Sequence, residues 1–328
     1  MAKAFSRGSP FRITLIALST VIPGILTAVV LFLVVYAWPA IRFNGFGFLV
    51  QRTWSLGNLY ANPVEVGGFQ VLHGASYGIL VFITGTLASS ALALLIAIPV
   101  SLGVAIFLAE GVPERLRAGL SLIVELLAVV PSVVYGLWGV TILAPLIAHV
   151  VAPAFNDVLG FIPFFAGGSA TGLGLLTAAL VLALMVVPII TATIYSALRQ
   201  VADEDKEAAY ALGALKLEMA VGAMLPAIRS SIIGGVILGL GRALGETMAV
   251  LMVSGGAINY LPVTLMSPIS TMAAFIVSQL DSAEQDPTGM AVRSLAEIAL
   301  VLFVITVIVN AVARLITRGL DVGAAGRA

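Results

Sequence analysis

The chain has 328 residues, 60% of them hydrophobic and 10% charged, with a mean hydropathy of +1.13. A soluble domain carries roughly 25% charged residues, so this composition excludes an ordinary water-soluble fold and points to an integral membrane protein. Sixteen basic residues balance sixteen acidic ones and cysteine is absent, which gives no bias toward nucleic acid and excludes disulfides, iron–sulfur clusters and thiol nucleophiles.

Six apolar runs cover residues 13–38, 76–108, 120–150, 171–198, 230–256 and 294–317. Each exceeds the length of about 20 residues that a helix needs to cross a bilayer, so the expected fold is an all-α membrane protein with six transmembrane helices. The whole chain, 1–328, is expected to form one transmembrane domain. The first run is longer than a signal-peptide core and no small-residue cleavage site follows it, so it is read as a retained anchor. The second and third are too long for one straight span, and kinks are expected at Pro99 and Pro131. Just after the second proline, Ser132 could line a path, although hydroxyls in membrane helices commonly bond to their own backbone. His73 and His149 fall at predicted outer helix ends and are read as interfacial, not as metal ligands. Glu125, near the inner end of the third run, and Glu297, four residues after Arg293 in the sixth, fit interfacial ion pairs or helix-end solvation.

Orientation follows from the basic residues of the short loops. Twelve lie on the side of both termini: Lys3, Arg7, Arg12, Arg115, Arg117, Arg199, Lys206, Lys216, Arg229, Arg314, Arg318 and Arg327. Only Arg42, Arg52 and Arg293 lie on the other side. Both termini are therefore expected in the cytoplasm, with residues 200–227 forming a cytoplasmic loop. There, Asp203, Glu204 and Asp205 suit the positive end of a helix, and Gly213 can provide a left-handed stop. A second short helix is expected over 216–224, closed by Leu225 and Pro226.

The fifth run contains the most informative pair, Arg242 and Glu246, one helical turn apart in an otherwise uncharged stretch. A charge at the bilayer centre costs at least about 2.5–3.5 kcal/mol on insertion scales, so such residues usually face a bundle interior or a solute path. The guanidinium offers a planar donor fork matched to oxyanions, and the carboxylate at i+4 could pair with it at rest. A purely structural clamp between the two is the competing reading. Gly239, Gly241 and Gly245 keep this helix thin, and Thr247 follows the pair. The three lysines are preceded by Ala, Asp and Leu, so no Gly-Lys-Ser/Thr phosphate loop exists and the chain is not an ATPase by itself.

Glu207-Ala208-Ala209, then Gly213, then Leu225-Pro226 resemble the EAA loop of bacterial ABC importer permeases, with Ala223 where that family commonly has a larger aliphatic residue. Gly239-Leu240-Gly241-Arg242-Ala243-Leu244-Gly245-Glu246-Thr247-Met248 is similar to the fifth-helix signature of C-type permease subunits of bacterial Pst phosphate importers. Leu126-Leu127-Ala128-Val129-Val130-Pro131-Ser132-Val133-Val134-Tyr135-Gly136 and the stretch from Gly85-Thr86-Leu87 resemble the third and second helices of the same subunits.

The resemblance implies the type I ABC importer permease fold and a multi-pass place in a bacterial inner membrane. It implies the transmembrane part of an ATP-driven phosphate importer working by alternating access. The 200–227 loop would dock on the ATPase through Glu207, Ala208, Ala209, Gly213, Leu225 and Pro226. Arg242, Glu246, Thr247 and Ser132 would line the substrate path. The implied partners are a second, PstA-type permease, two copies of a PstB-type ATPase that uses ATP and Mg, an extracytoplasmic PstS-type binding protein and membrane lipid, with no nucleic acid and no cofactor or metal on this chain. A sulfate or molybdate importer permease, or a secondary anion carrier working alone, are the competing functions.

Overall fold

The computed structural model describes residues 10–325, with side chains from 14 to 315; Lys3, Arg7 and Arg327, used above for orientation, lie outside the described residues. The chain opens with α1 (Pro10–Asn44) and the single turn α2 (Gly47–Val50). An extended segment follows, in which β1 (Trp54–Ser55) pairs antiparallel with β4 (Ser76–Tyr77), enclosing the hairpin β2 (Val64–Val66) and β3 (Phe69–Val71). α3 (Leu80–Ile106) continues through a wider turn to Gly111, and α4 covers Glu114–Val129. Next, α5 (Ser132–Trp138), α6 (Ala144–Leu146) and α7 (Ala152–Leu159) are joined by two π-turns into one rod, followed by α8 (Leu175–Leu198).

The connecting loop then holds α9 (Asp203–Ala211), α10 (Lys216–Met219) and α11 (Leu225–Ala227). α12 (Arg229–Gly245), α13 (Met248–Val253), α14 (Met272–Ala283) and α15 (Met290–Ala325) complete the chain.

Among the described residues, five helices are long and apolar enough to cross a membrane: Thr14–Asn44, Leu80–Gly111, Ser132–Leu159, Leu175–Leu198 and Met290–Leu315. A sixth is reached if Lys216–Ala227 and Arg229–Gly245, bent by 77° at Ile228, count as one span. The protein is thus a mostly helical, multi-pass membrane protein. α8 is its central helix, with α3 packed along it and α12 against it. Small residues make the first contact close: Ala93, Ala97 and Ala105 of α3 are buried with Leu182, Ala183, Val186 and Ile190 of α8, and the Ser101 hydroxyl donates to Val187 O at 3.2 Å. α1 packs along α15 and otherwise shows Leu18, Ile22 and Val35 to its surroundings, as expected of a helix in lipid.

The structure refines three expectations. Pro99 sits inside α3, which runs through it, whereas Pro131 ends a helix: Val130 and Pro131 are extended (ψ 129° and 137°), splitting the 120–150 run into α4 and the span from Ser132. Proline disfavours helical geometry in the residue before it, and here nothing overrides that preference. The 216–224 helix does not close at Leu225-Pro226. Pro226 lies near the end of the continuous helical run Lys216–Ala227, and the chain turns at Ile228 instead. Finally, the 230–256 run is not one helix. α12 stops at Gly245, Glu246 is extended (φ −70°, ψ 128°), and α13 starts at Met248.

The quoted segment from Gly85 has a packing reason. A Cβ on Gly85 would lie 2.2 Å from Ser270 O. Next to it, the Thr86 hydroxyl accepts from Met272 N at 2.9 Å while donating to Phe82 O at 2.7 Å, pinning the loop before α14 to α3.

Candidate functional site

Two helix breaks come together. Gly136 of α5 lies against α13: a Cβ there would meet Met252 Sδ at 2.8 Å and Ala249 Cα at 3.0 Å. Three residues on, Gly139 meets Val253 in the same way, with its Cβ position 2.7 Å from Val253 Cγ1. The two helices therefore run parallel, and one turn toward their N-termini Ser132 comes level with the 246–247 break. The α4–α5 break and the α12–α13 break thus face each other within the bundle. Four predicted path residues, Ser132, Arg242, Glu246 and Thr247, flank them, all partly buried.

The break changes what the charged pair does. Arg242 and Glu246 do not share a continuous helix, and no ion pair within 4.0 Å joins them among the described residues. Instead, each charge has its own helix end. Arg242 stands in the last turn of α12, where the carbonyl ends favour a cation. Glu246 precedes α13 and accepts from Ala249 N at 3.2 Å, capping that helix. Low-propensity glycines at 241 and 245 and the Thr247 hydroxyl bonded to Gly245 O at 3.3 Å favour the interruption. Arg242 Nε is buried without a hydrogen-bond partner. The guanidinium is thus held at the break with donor capacity unspent, and Glu246 keeps one carboxylate oxygen without a bond among the described residues.

Tyr135 was not singled out from the sequence. It is buried on α5 within electrostatic reach of Arg242, and its hydroxyl donates to Leu127 O at 2.8 Å, satisfying a carbonyl that the α4 terminus leaves open. The available signal was a hydroxyl-bearing aromatic one turn after a Pro-Ser pair in an apolar run.

The second group of predicted residues lies on the connecting loop. α9 begins with Asp203, Glu204 and Asp205 and ends as expected: Gly213 has φ +87°, its N–H donates to Tyr210 O at 2.9 Å, and Ala214 N–H donates to Ala209 O at 3.1 Å. Glu207, Ala208, Gly213 and Pro226 are exposed, while Ala209 and Leu225 are half-buried. Around them Leu212 (90% exposed), Leu215, Leu217 and Val221 form an uncovered apolar surface. Lys206 ties α9 to the end of the α3 span, reaching Glu110 and Asp203 at 3.4 Å each.

Three other readings are corrected. Glu297 forms no pair with Arg293; it is buried in α15 and accepts from Asn44 Nδ2 at 2.8 Å. His149 lies inside the Ser132–Leu159 span, not at its end, and His73 lies in the extended outer segment between β3 and β4. Asp286, in the turn between α14 and α15, and Tyr77 on β4 are buried near each other; burial, with the Asp286 charge, pushes the phenol well above its ordinary range.

Residues 101–322 match the family described as binding-protein-dependent transport system inner membrane component. The chain belongs to this family. The matched stretch contains both helix breaks and α9. A relative from Mycobacterium tuberculosis (strain ATCC 25618 / H37Rv), named phosphate transport system permease protein PstC 1, is 47% identical over 284 residues, covering 86% of this chain and 84% of that protein. A PstC protein from Pasteurella multocida (strain Pm70) is 39% identical over 295 residues, 89% of this chain and 86% of that one. The resemblance drawn from the 239–248, 126–136 and 85–87 segments is thereby met. Among solved structures, a chain of the MetNI methionine ABC transporter in an inward-facing conformation superposes with a TM-score of 0.51 at 17% identity, covering 73% of this chain and 94% of that one. At that identity the likeness speaks for the fold, a type I importer permease.

Proposed function

We propose that this chain is the C-type permease subunit of an ATP-driven importer of inorganic phosphate. The observation that carries the reading is Arg242, a guanidinium held at a helix break without a carboxylate partner, inside the stretch shared with relatives named as phosphate permeases. A planar, always-charged fork suits an oxyanion passing the break. The free oxygen of Glu246 can accept the hydroxyl proton of hydrogen phosphate, which sulfate near neutral pH lacks. This second contact favours phosphate over sulfate or molybdate as cargo.

The energy comes from outside the chain. α9 and the apolar surface around Leu212 and Leu215 form the docking site for a nucleotide-hydrolysing subunit that uses ATP and Mg, with Glu207, Ala208, Ala209, Gly213, Leu225 and Pro226 at or near the contact. The side bearing α9 faces the cytoplasm of a bacterial cell, in keeping with the basic residues there. A second permease of PstA type completes the path, two PstB-type ATPases drive it, and a PstS-type binding protein delivers phosphate to the outer face. Closing of the ATPase pair pulls the α9 helices together and opens the path outward; hydrolysis reverses it.

The test is radiolabelled phosphate uptake into vesicles containing the assembled complex or this chain alone. Uptake that requires ATP and the partner ATPase is expected. Uptake by the isolated chain, driven only by an ion gradient, would reject the reading in favour of a secondary carrier.

A further inference from the structure

A crevice of about 660 Å³ opens between α8, α12 and α15 at the end of the bundle that carries α9. Its walls change character with depth. Gln200 lies just beyond the end of α8, Ser231 in the first turn of α12 and Arg314 at the α9-side end of the apolar stretch Met290–Leu315, while Ile237 and Leu238 lie about 9 Å or more further along α12. Leu238 is 58% exposed, an apolar surface in need of cover. No lining residue is acidic, and Arg314 has no carboxylate within 4.0 Å among the described residues. The Thr193 hydroxyl is already given to Ile189 O at 2.9 Å, leaving Ser196 and Ser231 as the hydroxyls on offer.

We propose that this crevice seats an anionic phospholipid. Its phosphodiester rests on Arg314 with the Ser196 and Ser231 hydroxyls, and an acyl chain lies along Ile237 and Leu238. A cation with hydroxyls above an apolar slot matches a lipid's own order of head and chain, and a basic pocket between helices suits an anionic headgroup. A free inorganic anion would use the polar rim and leave the apolar floor bare. The site bears on transport through α12: Ser231, Gly234, Leu238 and Arg242 follow one another at steps of three and four residues, so they share one helix face. A lipid wedged there braces the face that ends in Arg242. Its phosphate, level with Ser231, lies about 16 Å from Arg242 along the helix, too far to stand in for the cargo.

The experiment is native mass spectrometry of the assembled transporter after exchange into vesicles of mixed phosphatidylglycerol and phosphatidylethanolamine. Selective retention of phosphatidylglycerol is expected, weakened about tenfold or more in Arg314→Gln and largely kept in Arg314→Lys. Gly234→Leu is the second variant: a Cβ at Gly234 meets nothing within 4 Å, so the added side chain starts into the slot from an unobstructed position. It should expel the lipid with Arg314 intact. Equal retention in wild type, Arg314→Gln and Gly234→Leu would overturn the proposal, as would retention of phosphatidylethanolamine to the same degree. Displacement of the lipid by excess inorganic phosphate would identify a soluble-anion site instead. Capture of another permease subunit by a crosslinker at Leu238→Cys would show that protein, not lipid, covers the groove.

Discussion

Glu246 combines two roles that a pair of substitutions can separate. One carboxylate oxygen caps α13 through Ala249 N at 3.2 Å; the other is available to a substrate hydroxyl. Glu246→Gln keeps an oxygen acceptor for the cap and removes the charge, whereas Glu246→Ala removes both. Loss of a helix cap costs about 0.5–2 kcal/mol. If all of it fell on the rate-limiting step, uptake would slow roughly 2- to 30-fold, at about 1.36 kcal/mol per decade. Replacing a charged acceptor by a neutral one forfeits about 1–1.5 kcal/mol of hydrogen-bond strength, or roughly tenfold. Initial rates of ATP-driven phosphate uptake in reconstituted vesicles, normalised to assembled complex, should therefore fall about tenfold in Glu246→Gln and further in Glu246→Ala. Wild-type uptake in Glu246→Gln would refute the substrate contact and leave Glu246 a cap alone.

Charge reversal at Lys206→Glu should uncouple ATP hydrolysis from uptake with little change in thermal stability, because a partly exposed pair contributes only about 0.2–1 kcal/mol; Glu110→Lys in the same chain should restore coupling, and failure of that rescue would argue against the strut. Gly213→Val places a β-branched residue at φ +87°, a cost of about 1–2 kcal/mol, and should release the ATPase on purification while the membrane helices remain inserted; full retention of the ATPase would count against the docking assignment. Gly136→Val would press on Ala249 Cα and Met252, an overpacking cost of about 1–3 kcal/mol that should lower both the melting temperature and uptake. The raised phenol of Tyr77 gives an alkaline signature. Folded protein holds that proton above pH 10.0 whereas the unfolded chain releases it, so this contribution is complete below pH 10.0 and falls as pH rises beyond. Tyr77→Phe, which also removes a buried hydroxyl without a partner, should flatten that alkaline loss in a thermal-melt series; an unchanged pH profile would contradict it.

The spans and the α9 segment were legible because length, hydropathy and cap residues act locally: acidic residues at the first turn and Gly213 at the end specify α9 without reference to neighbours. The 246–247 break was not. Apolar continuity from 230 to 256 suggested one helix, while the stop depends on glycines whose effect is weak singly and on a carboxylate that caps the next helix instead of reaching back to Arg242. Pro131 and Pro99 look alike in sequence; one ends a helix and the other lies within α3, a difference decided by packing around each. Tyr135 escaped notice because its partners, Leu127 O and Arg242, come from a folded-back break and from another helix. The outer segment 51–79 showed no periodicity long enough to announce its two short β-pairs, which are closed by Asn259 at φ 66° bonding the Trp54 backbone from 205 residues away.

Arg242 at the facing helix breaks is the heart of the proposed transport site. Its most direct test is ATP-driven phosphate uptake by complexes carrying Arg242→Gln or Arg242→Lys, with retention of the ATPase measured in the same preparation. Uptake should be lost in the first and severely reduced in the second, with assembly intact, because neither side chain reproduces the planar charged fork. Near-normal phosphate uptake by assembled Arg242→Gln complexes would contradict a role for this guanidinium in passing the anion.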